Sequence, residues 1–295
     1  MRAHLAIAAA AFATWVAASD VATPPGAALP WRELVLEGRK LGLDAAIHLH
    51  ASLQPTTDAA GEWLPAGATG GVRPAGTQVL LFESRTAFAG RVLNERLWLD
   101  PASRAAIQID DTETGARDHR RVYRLLTGGF IYEQRLPGHG EEGRDPATWT
   151  DVQRSVVRYP GATPATAVVT GALALLGSDL VATLRAPGDR VSCLVLVQSQ
   201  LEAVTVAAVA ASPYSAAFVE HRGDGDHPVS GPLDTLTLEL VSRPVDENAP
   251  GSFRLFGLEH GIQVVWEPHR RVPLRISGQV RLLGQIVINL EEIRY

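Results

Sequence analysis

Two histidines stand two residues apart in the stretch IHLH, His48 and His50. Side chains alternate along an extended chain, so both imidazoles face one way and Ile47 and Leu49 the other. Two neutral imidazoles on one face are half of a Zn²⁺ or Cu²⁺ site, and a bound metal there would support hydrolysis. Such a site needs a third and usually a fourth ligand. Asp44 and the stretch EHRGDGDHP, with Glu220, His221, Asp224, Asp226 and His227, are the obvious suppliers. Nothing in the sequence brings them close, so a polar-face histidine pair without metal is the first expectation.

Other chemistry-bearing stretches read more plainly. GHGEEG, Gly138 to Gly143, matches G-x-G-x-x-G letter for letter. A dinucleotide site also needs a strand before the glycines and a helix N-terminus after them, and Glu141 and Glu142 would repel phosphate. A flexible acidic loop is expected. EHRGDGDHP lacks the 12-residue calcium pattern and its closing Glu, so it reads as a solvated turn. DDTETGARD, Asp110 to Asp118, reads as another turn. The chain has no G-x-S-x-G and no H-E-x-x-H, so neither the nucleophile elbow nor the zincin helix is present. Glu291 and Glu292 are neighbours on a strand and face opposite sides. The lone Cys193 lies in the apolar stretch RVSCLVLVQ; it reads as a buried, inert thiol. Trp31, Trp63, Trp98, Trp149 and Trp266 are scattered, which suits core and loop-anchor roles better than a carbohydrate platform.

Most of these residues must be held by strands. Extended runs are expected around Glu33–Glu37 and Leu43–Leu53, then a long Gly- and Pro-rich loop. Two strands follow in QVLLFESRTAFAGRVLNERLWLD, a short one in AAIQIDD, a hairpin about Gly128-Gly129, and another strand in DVQRSVVRYP. The Ala- and Leu-rich stretch from Thr163 to Asp189 predicts a helix near Ala165–Leu176 and a second near Ser178–Arg185, covered on most sides. Strand follows strand after that, including SFRLFGLE. The closing stretch RVPLRISGQVRLLGQIVINLEEIRY alternates apolar and polar residues about Gly284, the pattern of a half-buried antiparallel hairpin that ties the chain end into a sheet.

Composition and the first residues bound the setting. Formal net charge is −5 and hydrophobic residues make up 46% of 295. That is core enough for a large β domain, and it carries no basic footprint for nucleic acid. Met1-Arg2-Ala3-His4, then the uncharged run Leu5–Ala18, then Ala17-Ala18-Ser19, follow the order of a cleaved signal peptide. No Cys stands at the cleavage point, so a lipoprotein anchor is not expected, and a single Cys makes no disulfide within one chain. Residues 1–19 are read as signal, 20–30 as flexible lead-in, and 31–295 as one β-rich domain with a sub-boundary near 159–164. The protein is expected in the periplasm or secreted, with no transmembrane segment once the signal is removed.

LFESRTAFAG, NERLWLDPAS, TGALALLGSDLVATLRAPGDRVSCLVLV and RRVPLRISGQVRLLGQIVINLEE together resemble the exported bacterial family called domain of unknown function 3108. The likeness covers most of the mature chain and rests on structural motifs: strand, Gly, strand, and the helix before LRAPGD. The long loops Gly61–Thr77 and Gly138–Trp149 depart from it. The resemblance implies a periplasmic β-protein and carries no active-site residue.

The fold expected is mainly β: an antiparallel curved sheet, or a partly closed barrel or sandwich, with one or two helices packed on it. No cofactor is expected. The leading functional reading is a non-catalytic protein that binds an apolar or amphiphilic envelope molecule, or an envelope partner. A metal-dependent hydrolase using His48 and His50 is the alternative from another class, and a ligand-free envelope scaffold the third. The sequence leaves the oligomeric state open.

Overall fold

The computed structural model describes residues 29–295 except 41–42, 68–69, 89, 116, 162, 164–166, 178 and 282. The expected signal peptide, most of the lead-in, and Pro164 at the expected helix start lie outside the described residues. No helix among the described residues is long and apolar enough to cross a membrane.

The described residues form fifteen strands in one sheet. The first eight are β1 (Glu33–Lys40), β2 (Leu43–Pro55), β3 (Gln78–Phe88), β4 (Arg91–Leu99), β5 (Ala106–Thr114), β6 (His119–Leu126), β7 (Gly129–Leu136) and β8 (Asp151–Arg158). The rest are β9 (Val169–Thr170), β10 (Arg190–Val197), β11 (Gln200–Arg222), β12 (Gly225–Pro244), β13 (His260–Glu267), β14 (Val272–Val280) and β15 (Gly284–Arg294). β8 back to β1 is one antiparallel meander and β15 back to β10 is another, with β9 added in parallel beside β10. They join where β1 pairs antiparallel with β15, Glu33 opposite Arg294. The closing hairpin therefore lies in the middle of the sheet. β8 and β9 at the outer ends do not pair with each other, so the sheet is not closed into a barrel. The far end of β11 returns to pair in parallel with β15, Val219 opposite Glu292.

The sheet curls around the chain between Val169 and Leu184. Gly171 lies against Leu97 of β4 and Ile109 of β5, and Gly177 against Phe82 of β3. The same segment touches β14, and Asp179 pairs with Arg271 just before that strand. β5 and β14 stand six steps apart in the strand order, roughly 29 Å if the sheet were flat. One short segment reaches both because the sheet is curved around it. Leu173, Leu175, Leu176, Val181 and Leu184 are all buried there, in one cluster with Phe82, Leu97, Ile109, Val264 and Ile276.

This segment corrects the expected helices. In place of helices near Ala165–Leu176 and Ser178–Arg185 it holds β9 and two single turns, α2 (Ala174–Gly177) and α3 (Asp179–Ala182), taking α1 as Thr56–Ala59. Val169 and Thr170 pair with Leu194 and Val195; β-branched residues favour strand, and Gly171 ends it. The expectation of cover on most sides holds for Val169–Gly177, which are buried. SFRLFGLE is likewise no strand but a tight turn in which Leu255 bridges Leu258. DDTETGARD is mostly strand: Asp110–Thr114 complete β5, and the turn begins at Gly115.

Candidate functional site

The meander β1–β8 shows how alternation distributes charge. On β4, Leu93, Glu95, Leu97 and Leu99 face the interior, while Asn94, Arg96 and Trp98 face outward. The inward rows follow from the registers. Ala51, Phe82, Leu97, Ile109, Tyr123 and Tyr132 stand opposite one another across β2–β7. The next row is Leu49, Ser84, Glu95, Asp111, Arg121 and Gln134. An apolar wall thus runs directly beside a row centred on two carboxylates.

Glu95 and Asp111 are directly opposed on adjacent strands, which places their Cβ atoms roughly 4.5–5.5 Å apart. Among the described residues neither carboxylate has a hydrogen-bond or ion-pair partner. Both are strongly desolvated, yet both keep part of their surface accessible. Water therefore reaches part of each side chain. Burial, and then the charge of Asp111, push the Glu95 carboxyl up to about 8. Burial also raises Asp111, against the pull of His119 and Arg121. The pair therefore holds a proton near neutral pH.

Arg121 of β6 faces Asp111 and has no hydrogen-bond partner among the described residues. Glu113 is already occupied by Arg91, Nη2 to Oε1 at 2.6 Å. The His119 imidazole Nδ1 lies 2.8 Å from the Arg117 carbonyl. The row thus offers a protonated acid as donor, carboxylate oxygens as acceptors and a guanidinium, all beside Leu97, Ile109 and Tyr123. It can hold a polar group; Leu97, Ile109 and Tyr123 beside it are buried in the core, with Gly171 packed on Leu97 and Ile109. No Ser, Thr or Cys nucleophile with a paired base accompanies it, and no three His, Cys, Asp or Glu among the described residues are grouped to hold a metal.

His48 and His50 share the outward face of β2, as expected, but each has its own neighbour. His48 Nδ1 lies 3.3 Å from Glu33 and His50 Nδ1 lies 3.6 Å from Glu83. Asp44 pairs with Arg39. The EHRGDGDHP residues sit at the tip of the β11–β12 hairpin. His221 lies 2.7 Å from Asp226 and 3.2 Å from Glu292, and His227 lies 2.9 Å from Asp224. Glu220 there is buried and held by Arg222 and Arg270; it pins the hairpin tip to the body. Cys193 is half-buried, and desolvation pushes its thiol up to about 12, away from the reactive thiolate.

GHGEEG is more ordered than a flexible acidic loop. The Glu141 carboxylate accepts from the backbone N–H groups of Gly138 and Thr150, which holds it below its usual range. The Trp149 indole donates to the Glu141 carbonyl. The helical piece that follows directly is the three-residue turn Pro146–Thr148, so a pyrophosphate meets no longer helix N-terminus there. Trp31, Trp98, Trp149 and Trp266 are core residues.

Sequence reasoning passed over Glu95 and Asp111. The signal was present: Glu95 is the single charge among the alternate residues Leu93, Leu97 and Leu99. The chain matches no family model, no curated protein and no solved structure.

Proposed function

We propose that this is an exported, non-catalytic binding protein of the bacterial envelope. It holds an apolar or amphiphilic molecule on the concave face, with the polar end of its ligand against Glu95, Asp111 and Arg121. The observation that supports this reading is the opposed carboxylate pair Glu95 and Asp111, which has no partner among the described residues and keeps part of its surface accessible. A ligand that hydrogen-bonds to these partly desolvated carboxyls gives them the partner that the fold does not supply. The hydrolase alternative draws no support from His48 and His50, which lie beside separate carboxylates.

The test is native mass spectrometry of the mature protein purified from the periplasm without detergent. Wild type carries extra mass that leaves on denaturation and behaves as lipid. Glu95→Lys, checked for folding by circular dichroism, loses most of it. Bare wild-type protein would overturn the reading.

A further inference from the structure

The two loops that depart from the family resemblance meet on the convex face, on the opposite side of the sheet from the carboxylate pair. They wall a polar cleft of about 450 Å³, within the roughly 300–1,000 Å³ of small-molecule sites. Its floor is Asn94 and Arg96 of β4, Asp110 and Thr112 of β5, and Arg120 of β6; Glu62 forms one wall and Asp145–Ala147 the other.

Both walls are fixed. The Glu62 carboxylate meets Arg96 at 2.5 Å, and its carbonyl accepts from the buried Gln108 side chain at 3.1 Å. The other wall is set by the Asp145 carboxylate, which accepts from Ala147 N, and by Arg135, which donates to the Trp149 carbonyl. The cleft is built before any ligand arrives, so little ordering opposes binding.

Both of its guanidiniums are compensated by carboxylates, and Asp145 adds one further negative charge. Arg120 makes a two-pronged contact with Asp110, at 3.0 and 2.6 Å. Arg96 is shared between Glu62 and Glu83 and lies over the ring of Trp98. No guanidinium of the floor is free to hold a phosphate, and Asp145 would repel one. The uncommitted groups are the Asn94 amide and the Thr112 hydroxyl. They are directly opposed across β4 and β5 and have no side-chain hydrogen bond among the described residues. The spare N–H groups of the arginines and spare lone pairs of the carboxylates flank them. Interleaved donors and acceptors around a near-neutral centre suit neighbouring hydroxyl groups.

We propose that this cleft binds a neutral, hydroxyl-rich ligand, a saccharide, with Asn94 and Thr112 making its central hydrogen bonds. The experiment is an amide-shift NMR titration of the full mature chain with four probes: diacetylchitobiose, maltose, inorganic phosphate and spermidine. Saturable binding of at least one disaccharide is expected, with shifts centred on β4 and β5. Asn94→Leu and the isosteric Thr112→Val each weaken it by about tenfold, the loss of one hydrogen bond. Melting curves confirm that the variants stay folded. Failure of both disaccharides to saturate, binding that neither variant weakens, or tighter binding of phosphate or spermidine would each overturn the proposal.

Discussion

The two faces of the β2–β7 sheet handle charge in opposite ways. On the convex face a row runs His50, Glu83, Arg96, Asp110, and each charge has a neighbour of opposite or complementary kind: His50 beside Glu83, Arg96 on Glu83 and Glu62, Asp110 on Arg120. One residue further along each strand, on the concave face, Glu95 and Asp111 oppose each other with like charge and no partner. The same strands carry both rows, so secondary structure does not explain the difference. The convex face is assembled to be complete in itself; the concave face is left incomplete at one point. An incomplete polar group that is partly desolvated is where a ligand, or a proton, can enter.

The largest expected effect probes the complete face. Asp110 is buried, and Asp110→Ala leaves Arg120 unpaired in a partly buried position. The expected cost is about 3–4 kcal/mol in chemical denaturation; a loss below about 1 kcal/mol would mean that the pair is merely a surface contact. Next comes Glu95→Gln, which should stabilise. The folded protein keeps the Glu95 proton up to about pH 8, whereas the unfolded chain releases it near the ordinary value of 4.5. Between those values the folded state binds more protons, so stability falls as pH rises through that window. Gln removes the penalty. The gain should be on the order of 4 kcal/mol at pH 8 and should fall to a few tenths near pH 4.5. A destabilising Gln at pH 8 would mean that the carboxylate has a partner. The smallest effect belongs to His48→Ala, where an exposed pairing is removed; melting should change by less than about 0.5 kcal/mol. A larger loss would show that the convex row acts as one network.

Much of the sheet was legible because alternation is a local property. The hairpin at Gly128-Gly129 appears with Leu126 opposite Gly129, and the closing stretch folds about Gly284 with Val280 opposite it. Its place at the centre of the sheet was not legible, because pairing with β1 joins residues more than two hundred positions apart. The helices near Ala165–Leu176 and Ser178–Arg185 were over-read for another reason. Ala and Leu suit any fully buried segment, and the covering sheet stabilises this one with hardly more than single turns. β11 runs through Pro213 with Asp234 opposite, and the neighbouring Ser212 carbonyl accepts from Thr235 Oγ1 at 2.7 Å. A proline is tolerated where the ladder does not need its missing donor. Glu95 and Asp111 needed both kinds of information: alternation places each inward, and only the register brings them face to face.

The central claim is that Glu95 lies unpartnered in a desolvated space. The most direct test is a ¹³C NMR titration of glutamate side-chain carboxyls in the ligand-free protein, with Glu95 assigned by the resonance missing from Glu95→Gln. The account requires that carboxyl to titrate near pH 8. Titration in the ordinary range near 4.5 would mean that the group is solvated or paired, and the concave-face site would have no basis.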